Sequence, residues 1–245
     1  MNERVKASLL IGALGDAFGS RFEQMDVPAN NERWSFSDDT QLTMATCEAI
    51  MEAGRPTAEQ VSAAFKRWYR SGQLTGLGAA TLKALVELVG GAAWGNTGTA
   101  GEHSAGNGAA MRIAPLAFLL DPMLEADRET IRDICQITHQ NEEAYVGALA
   151  VVYAIRFIQN DRQNFIHNII RQLPDSEVSE RLIQISHQPG LSIREIGRKF
   201  GKTGHVVDSV PLALFAAQQA PDIGLRKMMK ELVALGGDTD TNCSI

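Results

Sequence analysis

The stretch EEAYVGALAVVYAIRFIQN, residues 142–160, decides the fold. It is apolar on nearly every side, which is typical of a helix buried at the centre of a protein. Around it, nearly every periodic segment repeats its apolar residues at helical spacing, and the alternating runs typical of strands are almost absent. The sequence therefore predicts an all-α fold of many helices built around this one.

Several shorter segments predict helices of two to four turns. They lie at residues 57–71, 165–173, 178–188, 192–201, 210–220 and 225–235. Thr57 with Gln60 three residues later predicts a capped helix start. In GNGAAMRIAPLAFLL, residues 106–120, the glycines are expected to lead directly into an apolar helix. No linker or composition shift divides the chain, so we expect one domain over residues 1–245.

Composition excludes several classes of protein. The chain has 245 residues, 44% hydrophobic content and a net charge of −6, which argues against general nucleic-acid binding. Cys47, Cys135 and Cys243 are odd in number and form no CxxC pair, so neither a disulfide framework nor a zinc cluster is indicated. Glycines and Asp16 interrupt the apolar N-terminus, and no apolar run approaches a membrane span. We expect a soluble, cytoplasmic protein with no membrane partner.

Two acidic segments lie about 200 residues apart. SDDT, residues 37–40, precedes an apolar helix, and GGDTDTN, residues 236–242, stands where another helix should begin. A helix cap accounts for one residue of the first segment, but two adjacent carboxylates repel each other unless a cation lies between them. Carboxylate and hydroxyl oxygens are the ligands that Mg²⁺, Mn²⁺ and Ca²⁺ prefer. The two segments together favour a shared site for divalent ions.

The glycine-rich stretch at residues 90–111 is long for a connection in a compact domain, which is typical of a functional or mobile loop. Its GNG, residues 106–108, suits an anion site at a helix entrance, or alternatively a flexible loop. His139, at a helix junction, suits a structural role as well as a functional one. His103 could approach a ligand from the loop. His167, His187 and His205 belong to no recognisable constellation and are expected to be structural.

Five motifs in order give the chain a resemblance to a known family. They are IGALGDAFGSRFE (11–23), SDDT (37–40), GNGAAMRIAPLAFLL (106–120), THQNEEA (138–144) and GGDTDTN (236–242). In this order they resemble the ADP-ribosylglycohydrolases, the family of the dinitrogen-reductase-activating glycohydrolase and the ADP-ribosyl-acceptor hydrolases. The resemblance implies an all-α domain with two divalent ions, Mg²⁺ or Mn²⁺, in a cleft.

The resemblance also implies roles for particular residues. The implied metal ligands are Ser37, Asp38, Asp39, Asp238, Asp240 and Thr241. Glu23 matches an acidic residue that reaches a metal or gates the site. The loop of Gly106, Asn107 and Gly108 is implied to hold the diphosphate and the neighbouring ribose, and His139 to contact ADP-ribose.

The implied reaction is hydrolysis of the N- or O-glycosidic bond at C1 of the distal ribose of ADP-ribose. The substrate is an ADP-ribosylated protein or a small ADP-ribose conjugate, and the enzyme is expected to be a monomer. The candidate general bases are Asp38, Asp39, Asp240 and Glu23. The resemblance further implies a helix behind the second acidic segment, and the four residues after Thr241 are too few for it, so we expect that helix to be missing or truncated.

Three alternatives stay open at this point. The cleaved linkage could be to arginine, to serine or in an ester such as O-acetyl-ADP-ribose, with residues 24–34 and 90–106 setting the choice. The chain could be a non-catalytic ADP-ribose-binding or crystallin-like descendant. Acidic clusters on helices would equally suit a magnesium-dependent nucleotide phosphohydrolase, which would release phosphate.

Overall fold

The computed structural model describes residues 3–23, 34–101, 104–158, 164–188 and 190–245, and these are mostly helical. The α-helices are α1 Glu3–Gly19, α2 Asp38–Ala53, α3 Ala58–Arg70, α4 Ala79–Val89, α5 Glu125–Gln136, α6 Glu142–Phe157, α7 Phe165–Ile170, α8 Glu177–Ser186, α9 Ile193–Phe200, α10 Val206–Ile223, α11 Leu225–Val233 and α12 Thr239–Ser244. Two strands of two residues, β1 Thr99–Ala100 and β2 His139–Gln140, pair in parallel. The predicted all-α fold is confirmed.

Helix α6 is the central helix that the sequence predicts. Residues 144–154 are all buried, and the helix packs against α5, α7, α8 and α10. Gly147 lets α10 approach closely, since a Cβ there would overlap the Cγ2 methyl of Val206. Among the described helices, α6 supplies the most residues to the main hydrophobic core. Burial of apolar side chains in such a core is the dominant favourable term in folding.

The predicted helix starts are confirmed where a polar cap precedes them. Thr57 and Gln60 form a reciprocal capping box at α3. Ser192 and Glu195 do the same at α9. Because each box satisfies backbone N–H groups that the first helical turn leaves free, these helices begin where local chemistry places them.

The prediction of an apolar helix over residues 106–120 is wrong. The chain instead forms two short 3₁₀ helices, Ala110–Arg112 and Ala114–Phe118. Pro115 has no N–H to donate to Met111, so an α-helical hydrogen bond is lost at the middle of the segment. Burial of the segment against α2 and α6 holds it in the tighter 3₁₀ turns.

Helices α1 and α12 bring the two ends of the described chain into direct backbone contact. Gly12, Gly15 and Gly19 lie on one face of α1, at the spacing of one helical stripe. A Cβ at Gly15 would lie 2.6 Å from the carbonyl carbon of Cys243, and one at Gly19 would lie 2.6 Å from Asp240 Cα. Only glycine fits at these two positions, so the α1–α12 contact depends on them.

The three cysteines lie in or near the core. Cys135 and Cys243 are buried and Cys47 is half-buried, and all three are free thiols. Among the residues that the structure describes, no helix is both long enough and apolar enough to cross a bilayer.

We expect Gly15→Ala to destabilise the protein by at least about 2 kcal/mol, because the added methyl overlaps backbone that cannot rotate away. Chemical denaturation followed by circular dichroism measures the change. Gly95→Ala is the matched control, since a Cβ there meets nothing within 4 Å. Equal stabilities for the two variants would contradict the close α1–α12 contact.

Candidate metal and substrate site

Asp16 of α1 organises the first acidic segment. Its side chain is fully buried and accepts hydrogen bonds from the backbone N–H of Ser37, at 3.0 Å, and of Thr40, at 3.1 Å. The Thr40 hydroxyl also donates to it, at 2.5 Å, and the Ser20 hydroxyl at 2.9 Å. One carboxylate therefore fixes the entry of α2 relative to α1.

Ser37 is the N-cap of α2, with its hydroxyl accepting from the N–H of Asp39 at 3.3 Å. The cap explains Ser37, as the local interpretation predicts, but it leaves Asp38 and Asp39 in the first helical turn. Both carboxylates are buried, with 6% and 2% of their surface exposed. The helix N-terminus favours negative charge there, but it cannot by itself compensate two buried carboxylates.

The second acidic segment turns sharply out of α11 into α12. Gly236 and Gly237 take positive φ values, +68° and +84°. Asp238 follows, held by a hydrogen bond from its N–H to the carbonyl of Lys202 at 3.1 Å. A side chain at position 237 would overlap that carbonyl, so the two glycines are needed to aim the aspartates. The predicted helix start within GGDTDTN is confirmed, because α12 begins at Thr239.

The fold brings the two acidic segments together. Asp39 accepts hydrogen bonds from the hydroxyls of Thr241, at 3.3 Å, and Ser244, at 2.5 Å. Thr239 of α12 donates to the carbonyl of Gly19 at 2.8 Å, which holds α12 against α1. Residues about 200 positions apart thus share one site.

Glu23 joins the second segment rather than the first. One carboxylate oxygen from each of Glu23, Asp238 and Asp240 lies within 4.8 Å of the other two. Asp240 is buried, Asp238 is half-buried and Glu23 is exposed, so this acidic triad opens toward solvent. Asp38 and Asp39 lie outside the triad, as a deeper pair at the start of α2.

The surroundings of Asp38, Asp39 and Asp240 disfavour the ionised form of each carboxyl. Burial raises the pKa of Asp38 to about 7. Burial, together with the charges of Asp240 and Asp38, raises the pKa of Asp39 well above its usual range. Burial, the hydrogen bond that protonated Asp240 donates to Asp238, and the charges of Asp238 and Glu23 raise the pKa of Asp240 to about 9. Such a set of hard oxygen donors fits divalent cations, whose charge would reverse these effects.

The glycines of residues 106–108 are explained by His139. Neither Gly106 nor Gly108 has a positive φ. A Cβ at Gly106 would lie 3.0 Å from His139 Nε2, and one at Gly108 would lie 2.7 Å from His139 Cε1. The glycines are therefore required so that the backbone can cover the imidazole, which is 3% exposed. They do not form the mouth of an α-helix, as the sequence had led us to expect.

Asn107, between these glycines, links this loop to the acidic triad. Its side-chain amide donates to Asp238 Oδ2 at 2.7 Å, and its backbone N–H donates to the carbonyl of Gly204 at 3.0 Å. Gly106 in turn pairs with His205 in an isolated antiparallel bridge. The loop of residues 106–108 therefore joins the acidic triad on one side to the buried His139 on the other.

Four contributors to the site were not identified from the sequence. Asp16 and Ser244 hold the acidic segments, and Arg112 is a fully buried cation beside residues 106–108. The segment at residues 201–205, whose His205 was expected to be merely structural, supports Asn107 and Asp238 through backbone contacts. For Asp16 a signal existed, because an aspartate on a glycine-lined helix face is expected to be buried and paired.

Two parts of the sequence interpretation cannot be placed. His103 and residues 24–33 lie outside the described residues, so their relation to the site is not assigned. Asp39 also lines one side of a cavity of about 660 Å³, whose lining is otherwise mainly apolar and includes side chains of α1, α6, α10 and α11. Its apolar lining does not suit a charged diphosphate, and we do not assign the substrate to it.

Known proteins resemble this chain over most or all of its length. It is 23% identical over 266 residues to an uncharacterized protein of Archaeoglobus fulgidus, covering 100% of this chain and 86% of the relative. It is 24% identical over 298 residues to the ADP-ribosylhydrolase ARH3 of Danio rerio, covering 98% and 80%. It is 24% identical over 237 residues to the ADP-ribosylarginine hydrolase Tri1 of Pseudomonas putida, covering 87% and 61%.

The fold matches a solved structure as well. A chain described as an ADP-ribosylglycohydrolase-related protein complex superposes with a TM-score of 0.71 at 22% identity, covering 98% of this chain and 83% of that one. The sequence model of the ADP-ribosylglycohydrolase family matches residues 1–245. The chain belongs to the ADP-ribosylglycohydrolase family.

Proposed function

We propose that this protein is a divalent-metal-dependent hydrolase that cleaves the glycosidic bond between ADP-ribose and an acceptor. The observation that carries the proposal is the contact of Asp39, at the start of α2, with Thr241 and Ser244 of α12, next to the triad of Glu23, Asp238 and Asp240 and the loop of residues 106–108. Family membership supports a hydrolase that acts on ADP-ribosyl linkages. The metal dependence and the substrate are our proposals.

The proposed ligands of two Mg²⁺ or Mn²⁺ ions are the side chains already implied by the resemblance. They are Ser37, Asp38, Asp39, Asp238, Asp240 and Thr241, with Glu23 at the open side. When bound, the ions supply Lewis-acid chemistry that makes water a better nucleophile. Two ions return four positive charges to the five carboxylates, so the site can accept a diphosphate without strong net repulsion.

The chain's own groups then have distinct tasks. Residues 106–108, anchored by Asn107 on Asp238, would hold the ligand next to the carboxylates. One carboxylate among Asp38, Asp39, Asp240 and Glu23 would take a proton from the attacking water. Glycosidic bonds break through a transition state with positive charge on the sugar ring, which an acidic site stabilises.

The acceptor can be a protein side chain or a small molecule. The name of the Pseudomonas putida relative specifies ADP-ribosylarginine, whereas that of the Danio rerio relative specifies no linkage. We therefore propose arginine-linked, serine-linked and O-acetyl-ADP-ribose substrates for direct comparison. Each has the same ADP-ribose half and differs only beyond C1 of the distal ribose.

The deciding experiment identifies products by mass. The purified chain is incubated with each substrate, with Mg²⁺ or Mn²⁺ and separately with a chelator. Release of intact ADP-ribose, only with metal, is the expected result. Phosphate or AMP would instead establish a nucleotide phosphohydrolase, and binding of ADP-ribose with no product from any substrate would establish a non-catalytic descendant.

We expect Asp39→Asn and Asp240→Asn each to lower kcat/KM by at least about 100-fold, because each removes a metal-binding and proton-accepting charge. Initial rates of ADP-ribose release provide the measurement. The matched control is Asp175→Asn, which alters an exposed aspartate and should retain wild-type rates. A fully active Asp240→Asn variant would contradict the assigned site.

The raised carboxyl pKa values also predict how the metal-free protein responds to pH. A carboxyl group whose pKa is higher in the folded chain than in the unfolded chain stabilises the folded state while the group is protonated. This stabilisation is fully present below the pKa of the group in the unfolded chain, and it is lost as pH rises through about 7 for Asp38 and about 9 for Asp240. The metal-free chain should therefore melt at a lower temperature at about pH 8 than at about pH 5.5. Adding Mn²⁺ should raise the melting temperature more at the higher pH, because cations bind the ionised carboxylates.

Thermal unfolding with and without Mn²⁺ at both pH values measures whether the melting temperature changes with pH and with metal in the predicted direction. Asp38→Asn should flatten the pH dependence of the metal-free protein, since it removes one buried titrating group. A melting temperature that rises with pH in the absence of metal would contradict the raised pKa values of Asp38 and Asp240.

A further inference from the structure

Arg112 is a buried cation that has no role in the proposed reaction. Its side chain is 1% exposed, and no carboxylate in the described part of the chain lies within ion-pairing distance of it. It lies over the ring of Phe65, with 4.9 Å from the guanidinium carbon to the ring centroid. Burying an arginine in this way is costly, so the hydrogen bonds it does make are informative.

Those hydrogen bonds lead to the substrate side of the site. Arg112 Nη1 donates to the carbonyl of Gly108 at 2.7 Å, and Nη2 donates to the Thr138 hydroxyl at 2.7 Å. The same hydroxyl lies 2.7 Å from His139 Nδ1. Arg112 thus contacts both the loop that covers the imidazole and the side chain that orients it.

The direction of each hydrogen bond follows from which atoms carry protons. A guanidinium can only donate, so the Thr138 oxygen accepts from Arg112. Thr138 is fully buried, and in the described residues its hydroxyl hydrogen has one available acceptor, His139 Nδ1. A buried hydroxyl hydrogen is rarely left unbonded, so Nδ1 carries no proton and the ring proton is on Nε2.

The Nε2–H then lies against the loop of residues 106–108, which is proposed above to hold the ligand. Nε2 is 3.0 Å from the Cβ position of Gly106 and 3.2 Å from that of Gly108, and it forms no hydrogen bond with any described residue. Burial and the positive charge of Arg112 lower the pKa of His139 to about 3, so the ring is neutral. A neutral imidazole with a free N–H offers a hydrogen bond to an oxygen.

We propose that Arg112 and Thr138 are positioning residues that fix His139 as the Nε2–H tautomer, so that it donates to a phosphate or ribose oxygen of the ligand and does not transfer protons. The ligand half of this inference rests on the proposed function. The tautomer half rests only on the contacts among these three residues.

The test separates the two halves. Histidine ring ¹⁵N correlation spectra of the full ligand-free chain report the tautomer directly, and the sequence has only five histidines. His139 is assigned by its absence in His139→Asn. The expected spectrum shows a protonated Nε2 and a bare Nδ1, unchanged between about pH 5.5 and 8. A protonated Nδ1, or a charged ring, would overturn the proposal.

Thr138→Val removes the hydroxyl while keeping the shape. We expect it to lose the fixed tautomer and to weaken ADP-ribose binding, measured by calorimetry, by about 5- to 10-fold, the effect of one hydrogen bond. Thr138→Ser should restore both readouts. Thr46→Val, which removes a buried hydroxyl bonded to Leu42 within α2, should change neither.

Each outcome has a separate meaning. If Thr138→Val does not fold, the wild-type spectrum still decides the tautomer. A wild-type chain with the expected tautomer that does not bind ADP-ribose would overturn the ligand half and the proposed function together. Normal ADP-ribose affinity in a folded Thr138→Val would overturn the positioning role alone.

Discussion

The contact between the backbones of α1 and α12 is the constraint on which the site depends. Three glycines on one face of α1 remove every side chain that would keep α12 away. Thr239 of α12 then donates a hydrogen bond to the carbonyl of Gly19. Asp39 accepts hydrogen bonds from the hydroxyls of Thr241 and Ser244. Without this approach the two acidic segments would not share a site.

Asp16 complements that contact from within α1. It accepts backbone N–H groups at the start of α2 and so fixes where Asp38 and Asp39 point. Its carboxylate is satisfied by hydrogen bonds from the N–H groups of Ser37 and Thr40 and from the hydroxyls of Ser20 and Thr40. These donors account for Asp16 as a buried residue that holds the two helices together.

Much of this could be predicted from the sequence, because the signals are local. The apolar α6, the capping boxes and the two acidic segments each follow from residue type and spacing. The family resemblance predicted that Glu23 and residues 106–108 belong to the same site as the two acidic segments. What failed was the helix over residues 106–120, where the missing N–H of Pro115 and tertiary packing overrode apolar periodicity.

The rest depends on contacts between distant parts of the chain. Nothing near Arg112 in sequence indicates that it would reach Thr138, and nothing near His139 indicates which nitrogen would be protonated. The glycines at 106 and 108 suggested a phosphate loop, yet their immediate reason is the imidazole beneath them. Such roles emerge only once three segments are packed together.

The central claim is that acidic side chains from both ends of the chain bind the same divalent ions. The most direct measurement is anomalous diffraction from crystals of the protein grown with Mn²⁺. The account predicts manganese in contact with carboxylates of both acidic segments, Asp38 or Asp39 from one and Asp238 or Asp240 from the other. Manganese confined to one segment, or absent from both at saturating concentration, would contradict it.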